Sequence, residues 1–196
     1  MDMRIFQVHS NKALPHAGSI LIASPLLYDY HFARSVILMV THNIEGSMGI
    51  VMNKNFRYHV SLNQLVPRLA SMPVIPVFKG GPVERDTIFF LHVLGNLEGA
   101  LNLGNGLYLN GDFTALQQYI LNGNPIEGYV RFFSGYAGWA YKQLEKEIDD
   151  DSWMVGETDK CHLLDENYRD LWFNSMNDLG NPYRLWATYP QYPSCN

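Results

Sequence analysis

The chain has 196 residues, 47% of them hydrophobic, 13% aromatic and 17% charged, with a formal net charge of -5. That composition excludes a disordered chain, and a chain of this length buries about 70% of its extended surface on folding without needing disulfides. The acidic balance and the scatter of Lys and Arg, with no run of three, argue against a nucleic-acid surface, and no apolar run approaches the about 18 residues of a membrane span.

Cys161 and Cys195 lie far apart with no CxxC spacing, which reads as two free thiols in a reducing compartment. The N-terminus carries no apolar signal segment, so the expectation is a soluble cytoplasmic protein. With no internal repeat or linker, residues 1–196 read as one domain, with 1–17 and 188–196 loosely held.

In chain order, 18–24 (GSILIAS) reads as a strand closed by Pro25. Asp29 is placed to cap one helical turn before the next strand. Val36 to Val40 and Ile50 to Met52 are short unbroken apolar runs, each read as a strand buried on both faces. Thr41 to Ser47 between them is a dense polar loop, in which Gly46 supplies a positive φ and Gly49 marks a bulge or a close backbone approach. Ser61 caps a short helix over 62–69 that Pro67 ends or kinks. Residues 73–78 return as a strand, 79–82 (KGGP) form a turn, and 87–94 form another strand with His92 inside it. Asn105-Gly106 and Asn110-Gly111 punctuate one or two short strands. Asp112 caps a helix with Phe113, Leu116 and Ile120 on one face, ended at Asn122-Gly123.

Tyr129 to Phe133 reads as a strand, and 135–139 (GYAGW) as the joint to a helix with Ala137, Ala140, Tyr141, Leu144 and Ile148 on one stripe. Asp149 to Asp151 end that helix, and Trp153 to Gly156 form a short strand. Asp165 or Asn167 caps a last helix that stops at Gly180, with Leu185 to Ala187 packing back on the body. Strands outnumber helices and most connections are short, a pattern that predicts an α+β fold with a mainly antiparallel or mixed sheet.

No phosphate loop, GxGxxG, GxSxG or HExxH motif is present, and the seven histidines include no HxH or HxxxH pair, so no cofactor and no metal site are expected. His92 reads as a satisfied core histidine. His42, Asn43 and Glu45 place an imidazole and a carboxylate on one loop, suited to a base and its orienting group. The same residues equally suit hydrogen bonds to their own turn. Gly80, Gly81, Arg85 and Asp86 either present amides and a cation to an anion or form a tight turn with a local ion pair.

Four ordered blocks, 18–27, 33–54 (ARSVILMVTHNIEGSMGIVMNK), 76–86 (PVFKGGPVERD) continuing to His92, and 132–153, closely resemble the YqgE/AlgH family of bacterial proteins. The resemblance implies a curved, bifurcated sheet folded into a pseudo-barrel, flanked by about four helices. It implies no catalytic residues, and the family's usual label is transcriptional regulator. Asn55 departs from the proline usual after the Asn-Arg/Lys pair. Chemistry and resemblance together select Arg34, His42, Asn43, Asn53, Gly80, Gly81, Arg85 and Asp86 as ligand or partner contacts. The first reading is a non-enzymatic regulatory module acting through a protein partner or a small ligand. The alternative is a small hydrolase with His42 as base, Asp86 or Glu45 orienting it, and Arg34 or Arg85 holding an anionic substrate.

Overall fold

A computed structural model describes residues 7–165 and 168–191. The expected cap Asn167 and the thiol of Cys195 lie outside these residues, while Cys161 is a free, exposed thiol. The first half of the chain forms β1 (Ile20–Ala23), β2 (Val36–Asn43), β3 (Gly46–Val51), α1 (Leu62–Leu65), β4 (Val77–Lys79) and β5 (Val83–His92). The second half forms β6 (Leu101–Gly104), β7 (Leu107–Leu109), α2 (Phe113–Leu121), β8 (Val130–Trp139), α3 (Gln143–Asp149) and β9 (Trp153–Gly156). It closes with α4 (Lys160–Leu164), α5 (Leu171–Asp178) and α6 (Tyr183–Ala187).

The strands make a single sheet in the order β6-β7-β5-β8-β3-β2-β1-β9, with β4 also paired to β8. Every pairing is antiparallel except β4 with β8, so the α+β, mainly antiparallel reading holds. Two expectations are corrected. The sheet ends at β6 and at β9 and does not close as a pseudo-barrel, and there are six helices among the described residues where about four were expected. The additional ones, α4 and α6, are five residues each, too short to show a 3.6-residue periodicity. The cap that starts α4 is Asp159, whose Oδ1 accepts the Cys161 N–H at 2.9 Å.

The central hairpin is buried on both faces, because side chains alternate along a strand. Val36, Leu38 and Val40 of β2 enter a core shared with Met154, Trp172, Met176 and Trp186. Ile37 and Met39 enter a second core with Leu144, Ile148 and Trp153. The polar loop is shorter than expected: β2 and β3 continue to Asn43 and Gly46, leaving Ile44 and Glu45 as the turn. Gly46 has φ +132, as its place in the turn requires. The bulge is on β2, where the register shifts between Met39 and Thr41, while a Cβ on Gly49 would stand 2.6 Å from Ile37 Cγ2.

The largest departure is at 135–139, which continue β8 instead of opening a helix. β4 runs parallel along one edge of β8, and β5 runs antiparallel along the other. The chain at 80–82 therefore crosses β8. A Cβ on Gly81 would lie 2.0 Å from the Tyr136 carbonyl, and one on Gly80 would lie 2.3 Å from the Gly135 oxygen. Gly135 answers with φ +72 and would place a Cβ 2.7 Å from the Gly81 oxygen. Hydrogen bonds fix the crossing: Gly80 N–H donates to Ser134 O at 2.8 Å, and Val51 N–H donates to Gly80 O at 2.8 Å. Beyond it, β3 takes over the edge of β8 that β4 leaves.

Within the N-terminal stretch, residues 9–12 are strapped along β9 and the turn before it. Ser10 Oγ donates to Trp153 O at 2.7 Å, and the Asn11 amide bonds both Val155 O and Val155 N–H. Asp151 anchors the strap: burial pushes its carboxyl up, but Lys12, the Ser10 N–H and His9 outweigh this and hold it at about 2.

His92 is the satisfied core histidine that its apolar strand predicts. Its Nδ1 accepts the Leu94 N–H at 3.1 Å, so Nε2 carries the proton and donates to Asn110 O at 2.8 Å. Burial pushes its pKa down from 6.5, and the two backbone bonds recover only part of the shift.

Gly81→Ala forces a methyl into backbone and is expected to destabilise the fold by about 3 kcal/mol or more, read by denaturant unfolding. For His92, the folded chain resists protonation and the unfolded chain does not. Its contribution is therefore present above about pH 6.5 and lost as pH falls toward the lower folded value. His92→Gln is expected to flatten the decline of melting temperature between pH 7 and pH 5.

Candidate functional site

The crossing determines which side chains meet on its flank. Asp29 Oδ1 accepts the His31 and Phe32 N–H groups at 2.7 and 2.9 Å, so the chain turns sharply and reaches Arg34, at φ +53, just ahead of β2. Asn53, following β3, clamps the open end of the hairpin: its Nδ2 donates to Arg34 O and its Oδ1 accepts the Val36 N–H, both at 2.9 Å. Lys54 comes next, with Nζ donating to Ala33 O at 2.5 Å and its backbone oxygen accepting the Lys79 N–H at 3.0 Å. Lys79 is the last residue of β4 and immediately precedes Gly80.

Three cations from three distant segments thus converge. Arg34 lies over the Trp172 ring at 4.5 Å and donates to Tyr189 O, and its Nε is buried with no hydrogen-bond partner. Lys79 Nζ stands 3.2 Å from His31 Nδ1 and 5.2 Å above the Tyr30 ring. Burial pushes the Lys54 ammonium below its ordinary range, and the charges of Lys79 and Arg34 push it further. Lys79 is lowered by burial and by Arg85, with Asp29 opposing. Arg34 is lowered by burial. Among the described residues, no carboxylate forms an ion pair with any of the three. Like charges held together with no close ion pair, and only the charge of Asp29 opposing them, make a place where an anion is favoured.

Of the residues singled out from the sequence, Arg34, Asn53 and Gly80 belong to this cluster, and Arg85 acts on it through its charge. Gly80 gives its N–H to Ser134, and Gly80 and Gly81 are buried in the crossing, so their contribution is close approach. His42 and Asn43 are at the opposite end of β2, roughly 20 Å from Val36 at the usual strand rise. There His42 Nδ1 is 2.8 Å from Ser47 Oγ, and Nε2 is 4.0 Å from Glu145. Asn43 Oδ1 accepts the Glu45 N–H at 2.8 Å, which is turn chemistry. The carboxylate facing His42 comes from α3, whereas Asp86 lines an open groove with Leu65, Ile88 and Phe113. No ion pair joins Arg85 to Asp86 among the described residues. Sequence reading missed Lys54 and Lys79, although each directly adjoins a residue it chose, Asn53 and Gly80.

The sequence profile of the AlgH-like family matches residues 20–184, which hold the whole cluster apart from the C-terminal contact to Arg34. The chain belongs to the AlgH-like family. A UPF0301 protein of Bacteroides fragilis is 44% identical over 192 residues, covering 98% of this chain and 97% of that one. A UPF0301 protein of Chlorobaculum tepidum is 35% identical over 182 residues, covering 91% and 95%. The solution structure of the AlgH protein from Pseudomonas aeruginosa is similar to this AlgH-like chain at TM-score 0.68 and 30% identity, covering 89% and 94%. A crystal structure of a Corynebacterium diphtheriae protein reaches TM-score 0.75 at 24% identity, covering 90% and 94%, a likeness of fold. Among the described residues, no helix is long and apolar enough to cross a membrane.

Proposed function

We propose that this AlgH-like chain is a non-catalytic binding module of regulatory type, whose ligand presents an anionic group, phosphate or carboxylate, to Arg34, Lys54 and Lys79. The observation that carries the reading is the convergence of three cations, without an ion-paired carboxylate, in a chain with 19 acidic and 14 basic residues. Regulation would then run through the bound ligand, or a partner that reads it, with no direct contact to DNA.

The hydrolytic alternative takes His42 as base with Asp86 or Glu45 orienting it, whereas the groups nearest the His42 ring are Ser47 and Glu145. Ser47 is 8% exposed and is the cross-strand partner of His42, so the pair supports locking of the hairpin better than attack on a substrate.

Inorganic pyrophosphate is the probe. It is expected to raise the melting temperature by mass action, and Lys79→Met to weaken its binding at least about tenfold by calorimetry. Without pyrophosphate, the variant is expected to match or exceed the parent in stability, because it removes repulsion within the cluster. A less stable variant with undiminished pyrophosphate affinity, or a parent that binds none, contradicts the reading.

A further inference from the structure

A separate cleft of about 630 Å³, whose lining begins at Asn55 and Phe78 beside Lys54 and Lys79 but contains none of the three cations, is walled by Asn55, Phe56 and 58–60, by 72–78, by the end of α2 and by β8. That volume is within the range that holds small organic ligands. Its walls are mostly apolar, with Phe56, Ile75, Val77, Ile120, Ile126 and Phe132 prominent among them, interrupted by polar groups such as His59, Asn124 and Glu127. Tyr58 and Val74, also on the lining, are 75% and 79% exposed, so apolar surface continues to the mouth.

Among these groups lies one buried charge. Arg131 of β8 is 5% exposed, with Phe78 4.2 Å and Tyr168 5.5 Å from its guanidinium carbon. It donates to Leu163 O at 2.6 Å and to Met52 O at 3.2 Å. These bonds join the last turn of α4 to the exit of β3, and they explain part of its presence. They supply dipoles rather than a counter-charge, and among the described residues no carboxylate is ion-paired with it, although the charge of Asp165 acts on it. Burial accordingly pushes the guanidinium down to about 10, with Tyr168 and Asp165 offsetting little of it. A guanidinium carries five N–H donors, more than two carbonyls consume.

We infer that this cleft is a binding site for a small organic acid, with the carboxylate meeting Arg131 and an apolar body filling the walls. One buried cation on the lining of a mostly apolar cleft suits a ligand with a single negative charge. With the exposed Glu127 also on the lining, each further negative charge on a ligand is disfavoured, so a monoanion suits the cleft better than a polyanion. The site is therefore chemically distinct from the Arg34, Lys54 and Lys79 cluster, and it stands whether or not that cluster takes pyrophosphate.

Octanoate and 1-octanol, equal in chain length and different in charge, separate a built acid site from a merely greasy one. In calorimetry on the full chain, octanoate is expected to bind at least tenfold more tightly than octanol. Arg131→Met is expected to erase that preference, and Ile126→Trp, which fills the cleft, to weaken both ligands at least tenfold while leaving the pyrophosphate response in place. Equal affinity of the parent for both ligands overturns the inference, as does an octanoate preference that survives Arg131→Met. Should Arg131→Met fail to fold, the parent's preference and the Ile126→Trp result decide the matter: binding indifferent to Ile126→Trp overturns it.

Discussion

Two stretches of backbone meet at Gly80-Gly81 and Gly135 with no side chain between them, and the rest of the molecule is arranged around that contact. It lets β4 lie parallel on one edge of β8 while β5 runs antiparallel on the other, so the sheet divides along a single long strand. The Gly80 oxygen accepts the Val51 N–H, which ties the crossing to the central hairpin. Any side chain at Gly81 would place its Cβ 2.0 Å from the Tyr136 carbonyl, far inside van der Waals contact, so the topology depends on glycine there in a way that no hydrophobic gain offsets.

The electrostatic consequence follows from this geometry. Lys79 ends β4 because the chain must cross at Gly80, and Lys54, three residues beyond β3, is held beside it because its oxygen receives the Lys79 N–H. Asn53 binds Arg34 to the same place from the opposite side. The fold therefore gathers cations that the chain's acidic balance would otherwise disperse. Their desolvation and repulsion are unfavourable in the free protein, and a bound anion relieves both. Arg131 shows the same principle with one charge in an apolar setting, which selects a different partner.

Much of the fold was legible where local chemistry decides structure. The caps Asp112 and Ser61, the Asn-Gly turns near 105 and 110, and the doubly buried runs of β2 and β3 are signals carried by neighbouring residues. What escaped depends on contacts between distant segments. Residues 135–139 resemble a loop entering a helix because glycine weakens any strand reading, and it is the approach of the 81–85 backbone that explains Gly135. The site was legible in part for the same reason. Arg34, Asn53 and Gly80 carried chemistry or turn signals, whereas Lys54 and Lys79 are ordinary lysines until three segments meet. Arg131, flanked by Val130 and Phe132, gave no sign that its strand would bury it. His42 drew attention as the densest polar loop, and most of that polarity pairs across the hairpin or within its turn.

The most direct test of the central claim, that the crossing assembles an anion site from Arg34, Lys54 and Lys79, is an amide-resolved NMR titration with pyrophosphate. Saturable shifts concentrated at Arg34, Asn53, Lys54, Lys79 and Gly80, with the hairpin turn at Asn43 to Ser47 unmoved, are the predicted result. Shifts confined to the hairpin turn, or none that saturate, would contradict the account.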